Sequence, residues 1–381
     1  MREPRHLVGP THSSAGYHAL NVAIGDDGRQ ASKQESLAMS TTATASAGRT
    51  RVAYAARAFR AGHPTLPRAL WQLAMSVLMA WLIGVTPAHA QLATQHIKGL
   101  VGLKGGSPPP PGTYIIAPLF YIYDTDTVRT GEGNRVPIDA HISSVALAGG
   151  LNIVTTKKIL GGNYGFQVLF PVWANNRIQA TEIDSNPGGG MTDSGIVPIS
   201  LGWNFKRADA LAVYTIYMPT GRYADGASDN TGMGMWGHEL MFGTTVYLNE
   251  ARTYHAATVA SFNFQSTKES SETKVGNAMN LEGGVGRDFL GGGLSAGLVY
   301  YSSFKLTADR IEGFPLNIAP GKNKVLALGP EASLALARKG TLFGFVKANY
   351  QWETYARAGT QGAEFNILVT FLAKPLKLGK P

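Results

Sequence analysis

The chain contains no cysteine. That excludes a disulfide framework, a thiolate metal site and a lipid-anchored N-terminal Cys. After Ala90 it also lacks any apolar run long enough to form a spanning helix. No ATP-binding motif is present. The Gly-rich runs at 188–190 and 291–293 lack a phosphate-loop Lys and a following helix, so they read as turns. The net charge of +9 is carried partly by the leader, and no nucleic-acid partner is indicated.

Residues 68–90 decide how the remainder is read. Arg68 precedes an apolar core running from Ala69 to Val85, and Ala88-His89-Ala90 follows. A basic start, an apolar core and a closing Ala-x-Ala are the layout of a cleaved signal peptide. A transmembrane helix fits less well, because Gln72 interrupts the run and no positive flank follows. The expected mature chain starts at Gln91 outside the cytoplasm. Residues 1–67, rich in Ser, Thr, Ala, Gly and Arg, cannot bury enough surface to fold. They are either a disordered leader or the product of a misplaced start.

From Gly112 the chain divides into apolar-rich segments near the length that a tilted strand needs to cross a bilayer. Twelve are expected: 112–123, 138–154, 163–173, 195–206, 209–218, 236–248, 253–265, 277–288, 293–304, 324–337, 341–353 and 361–373. Their connections alternate between tight turns and longer loops, except that 354–360 is only moderate in length. An even strand number with turns at one end and loops at the other predicts an all-β fold, an antiparallel up-and-down transmembrane β-barrel. Residues 91–111, closing on Pro108 to Pro111, are expected in the periplasm or the lumen. Residues 374–381 are expected to form a tail.

Side-chain alternation assigns the faces. In the last strand Ala363, Phe365, Ile367, Val369 and Phe371 suit lipid, opposite Glu364, Asn366, Leu368 and Thr370. In the eleventh, Leu342, Val346, Ala348, Tyr350 and Trp352 suit lipid, opposite Lys347, Asn349, Gln351 and Glu353. In the fourth, Val197, Ile199, Leu201, Trp203 and Phe205 suit lipid, opposite Ser200, Gly202 and Asn204. Trp203, Phe205, Tyr350 and Trp352 are placed for an interfacial girdle. Pro118, Pro171, Pro198 and Pro330 lack a ladder donor and are each expected at a bulge or a rim.

The same alternation puts Glu239, Glu282, Glu331, Lys347 and Glu364 inside, since a basic residue facing lipid at the midplane costs about 2–4 kcal/mol. Either they form paired networks that fill a narrow barrel, or they form a constriction that selects permeants. Tyr247, Tyr301 and Phe345 are the aromatic lumen candidates beside them.

The stretch Tyr217-Met218-Pro219-Thr220-Gly221-Arg222-Tyr223, followed by Asn230, Gly232 and Trp236, resembles the motif of the meta-pathway phenol-degradation protein family. The residues from Gly283 to Asp288 and the strand from Gly297 to Tyr301 are similar too. The resemblance covers roughly Tyr114 to Leu372. It implies an outer-membrane barrel that takes up aromatic or other small apolar solutes. One departure is the C-terminus, where Phe371 is followed by ten further residues rather than ending the chain on an aromatic.

Rival classes have less support. An outer-membrane lipase needs a nucleophilic Ser within reach of a His. Neither His238, which shares a face with Leu240 and Phe242, nor His255, near a tight turn, pairs with Ser at a motif spacing. A surface adhesin or receptor would use the long loops. The loop carboxylates Asp184, Asp193, Asp225 and Asp229 are expected to be solvated, so no metal site is expected, and no cofactor. The expected partners are outer-membrane lipid, the outer-membrane assembly machinery and the solutes. The expected function is passive uptake of small apolar or aromatic molecules.

Overall fold

The computed structural model describes residues 93–180, 183–186, 188–225, 227, 229–310 and 322–377. Residues 1–92, which hold the expected leader and signal peptide, and the last four residues lie outside the described residues. Twelve long strands form the wall. They are β1 (Gly112–Thr125), β2 (Ala140–Ile159), β3 (Gly162–Ala180), β4 (Ser194–Asn204), β5 (Ala208–Met218) and β6 (Gly237–Tyr247). They continue as β7 (Tyr254–Gln265), β8 (Ala278–Phe289), β9 (Leu294–Lys305), β10 (Lys324–Arg338), β11 (Thr341–Arg357) and β12 (Ala363–Lys377).

Each strand pairs antiparallel with its sequence neighbour, and β1 pairs with β12. The sheet is therefore a closed barrel without an unpaired edge, as lipid requires of every backbone group. Tight turns follow the even-numbered strands and longer connections follow the odd-numbered ones, except that residues 358–362 between β11 and β12 are as short as a turn. The strands outrun the expected bounds in places. β3 continues to Ala180, β11 to Arg357 and β12 to Lys377. Two small pairs add to the long-loop end, Val128–Arg129 with Gly359–Thr360 and Ile183–Ser185 with the end of β3.

Lipid-side residues are exposed and apolar, among them Phe170, Leu240, Phe242, Leu298 and Phe371. Trp203 and Phe205 mark the short-turn end, where the Trp203 indole donates to the Leu160 carbonyl at 3.0 Å. Tyr350 and Trp352 mark the other end, in an edge-to-face pair 4.9 Å apart. Inward residues are buried and mostly polar, as in Asn263, Asn280, Gln351 and Asn366.

Alternation fails at two bulges. Val197 was expected on the lipid face, but it is 5% exposed and lines the interior. The ladder to β5 shifts between Ile196 and Ile199, around Pro198, and the extra residue reverses the faces on its far side. Leu342 is likewise turned inward, at 8% exposed, because the β11 ladder to β12 skips Phe343. Pro118 lies in a shift between Ile116 and Leu119, and Pro171 borders one opposite Ala148. Pro330 departs from expectation. It sits within β10, where the register to β11 is the same on either side, from Leu328 with Trp352 to Glu331 with Asn349. Its missing donor is tolerated there beside Gly329, where the β11 backbone comes so close that a Cβ would lie 1.7 Å from the Tyr350 oxygen.

Candidate functional site

Residues 93–111 do not join the wall. They run through the lumen. Four consecutive prolines, Pro108 to Pro111, hold the chain extended ahead of β1. Gly99 and Gly102 take φ of +77° and +74°, open to glycine and costly for other residues. A Cβ at Gly99 would lie 1.4 Å from a Glu364 oxygen, and one at Gly102 would lie 2.2 Å from Glu331.

The direction of the segment follows from its partners. Gln95 donates to the Met235 carbonyl at 2.7 Å, just before β6 begins at the long-loop end. Ser107 donates to Asp209 at 2.8 Å and meets Tyr247, where β6 ends, at 3.0 Å. The segment therefore crosses the barrel from the long-loop end to the short-turn end, and β1 then returns.

Between those ends it lies against strands β6 to β12. His96 bridges two glutamates, with Nδ1 2.8 Å from Glu239 and Nε2 2.7 Å from Glu282. Both ring nitrogens face carboxylates, so the ring donates from both as imidazolium. Lys98 reaches Glu353 at 3.4 Å and lies over the Tyr301 ring. Lys104 pairs with Asp288 at 2.6 Å. Backbone N–H groups complete the contact, from Val101 to Glu282 and from Leu103 to Glu331 at 2.9 Å. Leu103 is 2% exposed and seats over Gly284, Gly286 and Gly297, whose missing side chains make the hollow that takes it.

All eight sequence-selected lumen residues lie inside the barrel, and most of them meet this segment. Lys347 donates to the Leu100 carbonyl. Glu364 contacts Gln351 at 3.0 Å and closes over Gly99. Tyr301 donates to Glu353 at 2.8 Å, and Tyr247 to Asp209 at 2.6 Å. Phe345 packs at the short-turn end against Tyr114, Val154, Leu342 and Leu372. Of the eight, Glu239 alone lines the open space described next.

That open space is on the other side. Between the segment and strands β1 to β5 a cavity of about 590 Å³ remains. It reaches from Asn176, Thr192 and Met233 at the long-loop end to Asn163, Gly202 and Pro108 at the short-turn end. Leu119, Val154, Leu169, Val197, Leu211 and Val213 line it, with Tyr121, Asn152, Gln167, Ser200, Thr215 and Tyr217. No residue lining it from strands β1 to β5 is charged. Sequence reasoning missed this wall because β5 is apolar on both faces, so a search for polar inward residues passed over Leu211 and Val213. Alternation from Thr215 and Tyr217 was the available signal.

The motif loop between β5 and β6 is built around Asp193. Gly221 donates to one Asp193 oxygen at 3.1 Å and Met233 to the other at 2.9 Å. Burial raises the Asp193 pKa, and these two donors oppose the rise. Gly221 and Gly232 touch so closely that a Cβ on Gly221 would lie 2.6 Å from the Gly232 Cα. Thr220 accepts from the Ser194 N–H, and Asn230 bridges Ala224 and Ala227. Pro219 leads into this turn, Tyr223 packs on Gly234, and Trp236 stands exposed at the rim. The motif residues shape the mouth of the barrel.

The structure does bring a Ser and an Asp to His255. Ser295 Oγ and Asp288 Oδ1 each lie 3.3 Å from His255 Nε2, while Nδ1 has no partner. A nucleophile relay needs the two groups on opposite ring nitrogens. This cluster therefore cannot pass a proton from Ser to Asp through the ring. His238 meets the Tyr214 hydroxyl at 2.8 Å on the lipid side. Among the described residues no group of three or more His, Asp or Glu is arranged to hold a metal.

An outer membrane channel from Pseudomonas putida F1 matches 73% of this chain and 100% of its own, at 15% identity and a TM-score of 0.56. The likeness is one of fold, the outer-membrane β-barrel. The beta domain of the Bordetella autotransporter BrkA covers 68% of this chain and 99% of its own at 13% identity, but its TM-score of 0.38 is too low to bear on function. No curated protein matches the sequence. The model of the family described as "Putative MetA-pathway of phenol degradation" matches residues 125–369, and the chain belongs to that family.

Proposed function

We propose that the protein is a passive outer-membrane channel for small uncharged aromatic or apolar solutes, which move along the wall of strands β1 to β5. The cavity on that wall carries the reading. Its lining from strands β1 to β5 is neutral and largely apolar, and it extends between the two ends of the barrel. Apolar walls with a few placed polar groups are the usual make-up of a small-molecule site. Tyr217, Thr215, Gln167 and Asn152 supply hydrogen bonds for a hydroxyl, while Leu211, Val213 and Val197 accept a ring. Membership of a phenol-degradation family supports the solute class. The short turns face the periplasm and the long loops face outward, as in other outer-membrane barrels.

The test is liposome swelling with the purified mature chain, comparing phenol with sugars. Phenol should enter faster. Val213→Trp, which fills the path from the wall, should bring the phenol rate of a correctly assembled barrel down to that of protein-free liposomes. Equal entry of phenol into protein-free and protein-containing liposomes would overturn the reading and leave a receptor role for the loops.

A further inference from the structure

We infer that residues 95–107 set the charge selectivity of the pore, as a fixed lining that covers an acidic wall, and that the barrel without them is a cation-selective channel. The inference rests on the reading of the lumen as a path. Glu239, Glu282, Glu331, Glu353, Glu364 and Asp288 all point into the lumen from strands β6 to β12, and all but Asp288 are at least 96% buried. The segment covers them with three cationic side chains, His96, Lys98 and Lys104, and with backbone N–H groups. The glycines facing Glu364 and Glu331 leave no room for even a Cβ between segment and wall. The strands of the opposite wall, β1 to β5, bring no charged residue to the path, and Asp193 just before β4 is the carboxylate at its mouth.

The segment is held at both ends and in the middle. Gln95 is tied to Met235, Leu103 sits in its glycine hollow, and Ser107 is tied to Asp209. A lid needs one free end and a hinge, whereas this chain is pinned along its length. Without it, the carboxylates would face water in a widened pore, drawing cations in and keeping anions out.

The experiment compares the mature chain with a variant lacking residues 95–107 and with the double variant Lys98→Gln/Lys104→Gln, in planar bilayers under a tenfold KCl gradient. The mature chain should show low conductance and a reversal potential near zero. The deletion should raise conductance and move the reversal potential toward the potassium limit, about 59 mV for that gradient. The double variant, which keeps the backbone contacts, should shift in the same direction without the large rise in conductance. Unchanged or anion-directed selectivity in the deletion would overturn the inference. Should the deletion fail to refold, judged by loss of heat-modifiable migration, the double variant decides, and no shift there overturns it. Phenol swelling on the same mature sample separates the two readings. A barrel that passes no phenol but turns cation-selective on deletion sinks the solute assignment alone.

Discussion

Replacing His96 by Ala removes the cation shared by two buried carboxylates. Taking one partner from a buried ion pair costs about 3–5 kcal/mol, because the remaining charge is left uncompensated. Here the loss falls near the lower bound, since each glutamate keeps other donors. Glu239 retains Asn263 at 2.7 Å and Tyr217 at 3.1 Å, and Glu282 retains the Val101 N–H at 3.2 Å. The cost is borne by the segment rather than by the barrel, whose ladder is untouched. About 3 kcal/mol raises the released population roughly a hundredfold. Trypsin reads this directly. Lys98 and Lys104 are pinned in the lumen and become cleavable once the segment leaves it. In purified barrel, His96→Ala should be cut after these lysines far faster than the parent, with His96→Gln intermediate because it keeps one hydrogen bond. Equal cleavage of His96→Ala and the parent would show that His96 does not hold the segment.

Leu298→Arg places a charge on an exposed lipid-side position midway along β9 and should destabilise the folded barrel in vesicles by about 2–4 kcal/mol on urea titration. A loss below about 0.5 kcal/mol would contradict the lipid-side placement. On intact cells, Asn186→Cys in a long loop should react with an impermeant thiol reagent, and Asn249→Cys in a tight turn should not. The reverse pattern would invert the orientation.

The wall of the barrel was legible because two periods were written into the residues, face alternation within strands and turn–loop alternation between them. Glu239, Glu282, Glu331 and Glu364 were found inside for that reason. Val197 and Leu342 were misplaced because a bulge inserts one residue, and a residue count cannot register it. The route of residues 93–111 was beyond the pattern. An irregular segment has no period, and its course is fixed by single contacts such as Gly99 with Glu364 and Leu103 with Gly286. The open path was hidden for a related reason. It consists of ordinary aliphatic residues that differ from lipid-facing ones only in which way they point.

The placement of Gly99 against Glu364 joins the two extremities of the chain. Gly99 precedes the first strand, Glu364 belongs to the last, and β1 pairs with β12 at Tyr123 and Glu364. The seam that completes the barrel therefore closes directly over the segment. Without the segment, the Glu364 carboxyl of the final strand would face an unfilled interior beside that seam. The lining of the lumen and the closing seam therefore bear on the same residue, and a change in either is felt at the other.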